Sequence, residues 1–310
     1  MVASIQQPEL NPSSGYVGRF APTPSGPLHF GSLVAALASY LDARAHQGQW
    51  LLRVEDIDAP RCAPGAADSI LQTLEDYGLH WDGDVCYQSQ QSSYYESALG
   101  QLQAKGLVFF CTCSRSQLKG HDIYPGTCRT RVIRDQQQDC SCRIRVPDQQ
   151  LAFDDLILPS YTENLALQVG DFILQRKDGP YAYQLAVVID DALQGITHVI
   201  RGADLYTQTT RQIFLQQSLG LTTPIYGHIP LIMNGQGQKL SKQNLAQAIA
   251  TKEAPVLLSQ ALQRLGQAPP QELIDAPIEE QLQWAITAWD RHKIPSLQED
   301  PTPFVTTDSP

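Results

Sequence analysis

Apolar positions along the chain fall into short buried runs separated by longer stretches of helical period. Residues 16–20 read as a first strand, 33–46 as an amphipathic helix and 50–56 (WLLRVED) as a second buried strand, which together make a βαβ unit. Residues 69–78 and 92–106 carry helical periodicity, the latter ending at a glycine stop. From 108 to 179 the pattern becomes irregular, with clustered Cys, Arg and Gln. Strand-like apolar runs return at 184–189 and 197–200, and helices are predicted over 205–219, 253–265 and 278–293. The predicted architecture is an α/β doubly wound sheet built from 15–107 and 180–243. It is interrupted by a module at 108–179 and followed by a helical region at 244–296. The polar, proline-bearing residues 1–14 and the proline-rich 297–310 are predicted to be disordered.

Composition narrows this picture. A chain of 310 residues can bury a substantial core and suggests roughly two domains, one inserted in the other. The net charge of -10 and pI near 5.1 disfavour non-specific nucleic-acid binding, whose affinity comes from cations on phosphates. Any RNA contact must be local. The candidates are Arg115, Lys119, Arg129, Arg131 and Arg134, with Lys239 and Lys242; the first five read equally as a solvated basic face. No cationic leader precedes an apolar core and no segment approaches a spanning helix, so no membrane partner and a cytoplasmic location are expected. Seven cysteines, an odd number, fit reduced thiols or metal ligands better than disulfides, with Cys62 and Cys86 simplest as structural thiols.

Two constellations carry chemistry. In GRFAPTPSGPLHFGS, residues 18–32, a strand breaks into a proline-glycine turn and a helix follows. The first amides of a helix lack internal partners and its positive dipole end favours anions, so this turn is a phosphate site. Gly26 and Gly31 permit close approach, Pro22, Pro24 and Pro27 stiffen the turn, and His29 adds a donor. The spacing matches neither the dinucleotide nor the P-loop fingerprint. The second constellation is Cys111, Cys113, His121, Tyr124, Cys128, Cys140 and Cys142. Zinc takes four tetrahedral ligands, and spacing alone offers Cys111, Cys113 and Cys128 with one of His121, Cys140 or Cys142.

PLHFGS resembles the HIGH element of the class I aminoacyl-tRNA synthetases, and RFAPTPSGPLHFG its glutamyl version. KLSKQ, residues 239–243, resembles the mobile KMSKS loop that holds the nucleotide from the other side. Two such motifs in the right order are far more specific than either alone. The chain stops soon after KLSKQ, which makes it similar to the truncated glutamyl paralogues, the glutamyl-Q tRNA(Asp) synthetases, from Gly15 to about Lys293. The resemblance implies a Rossmann-like nucleotide-binding parallel sheet, an inserted zinc-bearing acceptor-type module, a C-terminal helical region and no anticodon-binding domain. It implies tRNA-independent, ATP-dependent activation of L-glutamate and its transfer to queuosine in the anticodon of tRNA(Asp), by a monomer that takes Mg²⁺ with its ATP. A short glutamyl-tRNA synthetase charging the 3′ end of tRNA(Glu), and a catalytically silent zinc and RNA-binding module, are the alternatives.

The same resemblance distributes roles. The HIGH-like element 22–32 and the KMSKS-like loop bind ATP through Pro22, Gly26, His29, Gly31, Ser32, Lys239 and Lys242, with His29 and Lys242 catalytic. Ser32 at the fourth HIGH position and Gln243 at the loop's end depart from the motif names. Structural zinc falls to Cys111, Cys113, Tyr124 and Cys128, the phenol losing its proton only under the metal's charge. Glutamate falls to Arg19, Ala21, Thr23, Glu55, Tyr183 and Arg201. Charge supports four of these: Arg19 and Arg201 can fork onto carboxylates, Glu55 can pair with the ammonium, and Tyr183 supplies a hydroxyl. Asp56, Asp58 and Arg61 are given no catalytic role. Asp190 and Asp191, read as neighbours on a strand facing opposite ways, are taken as structural, and Asp204 as a helix cap.

Overall fold

The computed structural model describes residues 15–131, 139–232 and 248–295. The expectations for residues 1–14 and 297–310, for Arg134, and for Lys239, Lys242 and Gln243 of the KMSKS-like loop lie outside these.

Strand β1 (Val17–Phe20), helix α1 (Phe30–Ala45) and strand β2 (Gln49–Val54) form the first βαβ unit, and helix α2 (Ala66–Asp76) leads to the short β3 (Cys86–Tyr87). The three strands are parallel in the order β1-β2-β3. Helix α3 (Ser92–Ala104) then hands the chain to the inserted module. There β4 (Val108–Cys111), β5 (Ser141–Ile144) and β8 (Ile173–Gln175) make one antiparallel sheet, and β6 (Gln150–Phe153) and β7 (Tyr161–Asn164) a second. The irregular sequence of this region thus contains five short strands, too brief for a period to register.

Helix α4 (Tyr183–Leu193) overturns one expectation: residues 184–189 were predicted as a strand. Its residues Leu185 to Ala192 are all buried, so the sequence has no polar face to announce a helical period, and β-branched Val187, Val188 and Ile189 mimic a core strand. Strand β9 (His198–Gly202) follows, then a 3₁₀ turn at Ala203–Gln208, helix α5 (Thr209–Leu219) and β10 (Ile225–Ile229), which pairs with β9 in parallel. Thr197 joins β9 to β1: its amide donates to the Val17 carbonyl (2.9 Å) and its hydroxyl accepts the Val17 amide (2.8 Å).

Helices α6 (Ala254–Arg264) and α7 (Ile278–Ala288) pack over α1, sharing a core in which Leu33, Leu37 and Leu41 meet Leu258, Leu262 and Leu282. For that reason α1 is buried nearly all round rather than amphipathic. Helix α7 ends at Ala288, short of the predicted boundary at 293, and a 3₁₀ turn at Arg291–Lys293 follows. A second core joins α3, α4 and α5 to the inserted module. No described helix is long and apolar enough to cross a membrane.

Candidate active site and thiol cluster

The loop after β1 and the start of α1 border a cavity of about 360 Å³. Ala21, Pro22, Thr23, His29, Gly31 and Ser32 line it; Gly26 does not, serving the turn instead with a φ of 145° that favours glycine. His29 is the N-cap of α1. Its Nδ1 accepts the Ser32 amide at 3.2 Å and its Nε2 lies 3.1 Å from the Ser32 hydroxyl, so imidazole and serine brace each other at the helix start. Across the cavity stand Ile229 and Ile232, and Ala248 bridges back to His29. Ile232 and Ala248, the described residues nearest the KLSKQ motif in sequence, therefore both lie at the HIGH-like element. Arg61 and Asp204 also line the cavity, though no sequence motif marks either as a binding residue. Nor is Asp204 the predicted cap: the N-cap of its 3₁₀ turn is Gly202.

Arg19, Glu55, Tyr183 and Arg201 lie outside the lining of this cavity and converge beside it. The Glu55 amide donates to the Pro22 carbonyl (2.9 Å), tying the end of β2 to the loop. Arg19 is buried and grips Asp191 through Nε (3.1 Å) and Nη2 (3.3 Å). Arg53, fully buried, contacts Asp191 at 2.8 Å, Asp190 at 3.8 Å and Glu55 at 3.7 Å. Burial works against the Asp191 carboxylate, yet Arg19 and Arg53 hold it below the usual range. Asp190 instead accepts from Gln88 and Tyr95, both at 2.8 Å, and burial pushes its carboxyl up. The pair is structural, but on a helix rather than a strand, and Asp191 orients a residue predicted to bind glutamate. Burial also pushes the Glu55 carboxyl up to about 7, against the pull of Arg53 and Arg19. It raises the Tyr183 phenol too, with Glu55 adding to the effect and Arg201 and Arg19 opposing it.

Arg201, at the end of β9, is only 5% exposed and has no carboxylate partner among the described residues. Its Nε donates to His228 Nε2 (3.0 Å), Nη1 to Gln212 (2.8 Å) and Nη2 to Thr209 (2.8 Å). These acceptors fix the guanidinium without neutralising it.

In the inserted module the thiols of Cys111, Cys113 and Cys128 lie within 4.8 Å of one another, the last two 3.6 Å apart. The Tyr124 hydroxyl is 3.3 Å from Cys111 Sγ and 4.0 Å from Cys113 Sγ, and it accepts the Cys128 amide at 2.8 Å. Ligands around tetrahedral zinc stand ~3.5–3.8 Å apart, given its bond lengths to sulfur and oxygen. The set fits such an ion. Against the desolvation of burial, hydrogen bonds from the Thr112 amide, Tyr124 and the neighbouring thiols lower the Cys128 thiol to about 7, as a metal thiolate needs. The Arg143 guanidinium sits 4.1 Å over the Tyr124 ring. His121, Cys140 and Cys142 are not in the thiol group, and Cys142 is a core residue whose thiol burial pushes up to about 12. All seven cysteines are free thiols. Of the basic candidates, Arg115, Lys119 and Arg131 are exposed, whereas Arg129 is committed to Asp171 (3.3 Å) and the Val146 carbonyl (2.9 Å).

A model of the family described as tRNA synthetases class I (E and Q), catalytic domain, matches residues 16–274. The glutamyl-Q tRNA(Asp) synthetase of Thiobacillus denitrificans is 53% identical over 294 residues, covering 93% of this chain and 97% of that protein. That of Pseudomonas aeruginosa is 51% identical over 284 residues, covering 91% and 96%. Among solved structures, a glutamate tRNA ligase from Elizabethkingia meningosepticum, in complex with its amino acid, superposes with a TM-score of 0.75 at 24% identity. It covers 90% of this chain, which spans 65% of that one, and shares its fold. The parallel strands, the HIGH-like turn and these likenesses agree: the chain belongs to the class I tRNA synthetases of the E and Q type, and among them to the glutamyl-Q tRNA(Asp) synthetases.

Proposed function

We propose that the protein activates L-glutamate with ATP, without tRNA, and transfers it to queuosine in the anticodon of tRNA(Asp). The observation that carries the first step is Arg201, a buried cation that among the described residues bonds only to neutral acceptors. Burying a charge without a counter-ion is expensive, so the site is completed by an anion. Arg19 and Arg53 share between them Asp190, Asp191 and Glu55, whose carboxyl burial pushes up to about 7, while the Arg201 guanidinium adds a third cation without a carboxylate among the described residues. The excess of positive charge suits an amino acid with two carboxylates and one ammonium. Glu55 takes the ammonium, Arg201 and Arg19 the carboxylates, and the Tyr183 hydroxyl a further oxygen; Ala21 and Thr23 form the wall shared with the nucleotide cavity.

In the adenylation step the α-carboxylate attacks the α-phosphorus of ATP and pyrophosphate leaves. ATP enters with Mg²⁺ against Pro22, Gly31 and Ser32, with Gly26 shaping the turn between them. His29 and the first amides of α1 lie where charge develops on the phosphates, joined by Lys239 and Lys242 of the KMSKS-like motif. The queuosine hydroxyl then attacks the activated carbonyl and releases AMP, with no protein nucleophile required. Zinc held by Cys111, Cys113, Tyr124 and Cys128 is structural: it supplies a cross-link in a small module rather than a step of the reaction.

Pyrophosphate exchange with glutamate and ATP alone tests the first step. It is expected to proceed without tRNA in the wild type and to vanish in Arg201→Ala; wild-type exchange in that variant would refute the pocket. Labelling of tRNA(Asp) with and without queuosine tests the second, and equal labelling of both would remove the queuosine acceptor.

A further inference from the structure

Arg201 is aimed by residues that do not touch the cavity. Its Nε–H donates to His228 Nε2 at 3.0 Å, which requires a lone pair on that nitrogen. His228 Nδ1 lies 2.5 Å from Asp155 Oδ2, and both side chains are wholly buried. A carboxylate can only accept, so Asp155 keeps the proton on Nδ1 and leaves Nε2 bare.

Asp155 comes from the inserted module, just after β6. There the chain runs beside β10: Asp155 forms a parallel bridge with Tyr226, and the Leu156 amide donates to the Tyr226 carbonyl at 2.9 Å. Its two oxygens divide the work. Oδ1 accepts the amides of Ile157 (3.0 Å), Leu158 (2.9 Å) and His228 (3.0 Å), which holds the turn. Oδ2 is left for the imidazole.

We propose that Asp155 and His228 form a positioning relay through which the inserted module sets the imidazole tautomer that aims the Arg201 guanidinium at the glutamate carboxylate. The proposal rests on the reading of Arg201 as a glutamate ligand. A neutral imidazole suits the task better than a carboxylate, because it orients the guanidinium and leaves its charge for the substrate. Burial, with Arg201 beside it, lowers the His228 pKa and favours that neutral form, although Asp155 pulls the other way. The other acceptors are oriented in the same manner: Gln212 donates through Nε2 to Gln184 at 3.0 Å, presenting its oxygen to Arg201.

Asp155→Asn isolates the relay. Its oxygen can still accept the three amides, but its NH₂ replaces Oδ2, so His228 must move its proton to Nε2, facing the Arg201 Nε–H donor. Tautomer reversal is expected to raise the KM for glutamate about tenfold or more in tRNA-free exchange, with the ATP KM changing less than about twofold and the melting temperature retained. His228→Gln supplies an amide oxygen near the Nε2 position whatever residue 155 is. In that background Asp155→Asn should add no further penalty. The imidazole ¹⁵N shifts of His228 report the change independently of activity: Nε2 unprotonated in the wild type, protonated in Asp155→Asn. The relay is overturned by an unchanged glutamate KM, by an equal penalty in both backgrounds, or by an unchanged tautomer. Loss of exchange in Arg201→Ala alongside any of these leaves the glutamate pocket standing and removes only the relay. Wild-type exchange in Arg201→Ala removes the pocket, and the relay with it.

Discussion

Glu55 sits just past the end of β2, where burial pushes its carboxyl up to about 7 against Arg53 and Arg19. Below that pH it is protonated and offers the substrate ammonium no charge; above it the carboxylate forms and pairs. The kcat/KM for glutamate is therefore expected to rise with pH through about 7 and then level off, while Glu55→Gln lowers it and removes the inflection. A flat wild-type profile from about pH 6 to 8 would contradict this. Since the folded value lies above the unfolded one, the free protein loses stability as pH rises from about 4.3 to 7, which is the cost of keeping this group ready. Arg19, Glu55, Tyr183 and Arg201 were open to proposal from the sequence, through its resemblance to the glutamyl family and the charges glutamate carries. Their supports were not. Asp191 lies 172 residues from Arg19, and Asp155 73 residues from His228, so no local spacing connects them.

Helix α1 shows what one capping residue can be asked to do. The His29 side chain accepts the Ser32 amide, replacing the Ser, Thr, Asp or Asn usual at this position, while it also borders the nucleotide cavity. The two roles can be separated. His29→Ala should lower stability by about 1 kcal/mol through loss of the cap and also impair exchange. His29→Asn should restore most of the stability, since asparagine caps well, and leave exchange impaired. Thermal melts paired with exchange rates check both, and recovery of activity with stability would reduce His29 to a cap. The start of α1 was visible in the sequence as a turn followed by a helical pattern. The identity of α4 was not, because a helix walled in by α3, α5 and β8 needs no polar face and loses the period that would reveal it.

For the whole molecule, the proposed zinc bears on the stability of the inserted module. Around the thiol cluster the buried apolar group among the described residues is Phe109, Cys111 and Cys128, with Cys113 and Tyr124 packed against it, far less apolar material than in the two main cores. Such a patch cannot hold the 111–131 segment unaided. Fresh protein should contain about one zinc per chain. Chelation should release it and expose the three thiols to a thiol reagent, and Tyr124→Phe should weaken retention. Substoichiometric zinc in fresh protein would remove the ligand set. Sequence alone was enough for what is written in neighbouring residues: the proline-glycine turn and helix start of 18–32, and the grouping of Cys111, Cys113 and Cys128, to which the family resemblance added Tyr124. Hydrogen-bonding capacity, backbone freedom and short spacing belong to residue types, and they survive without a fold. Folding decided that 183–193 is a helix, that Asp191 clamps Arg19, and that the inserted module returns a carboxylate beneath Arg201. Those features depend on which distant segments share a buried space, where low polarity makes each unpaired charge costly and so dictates its partner.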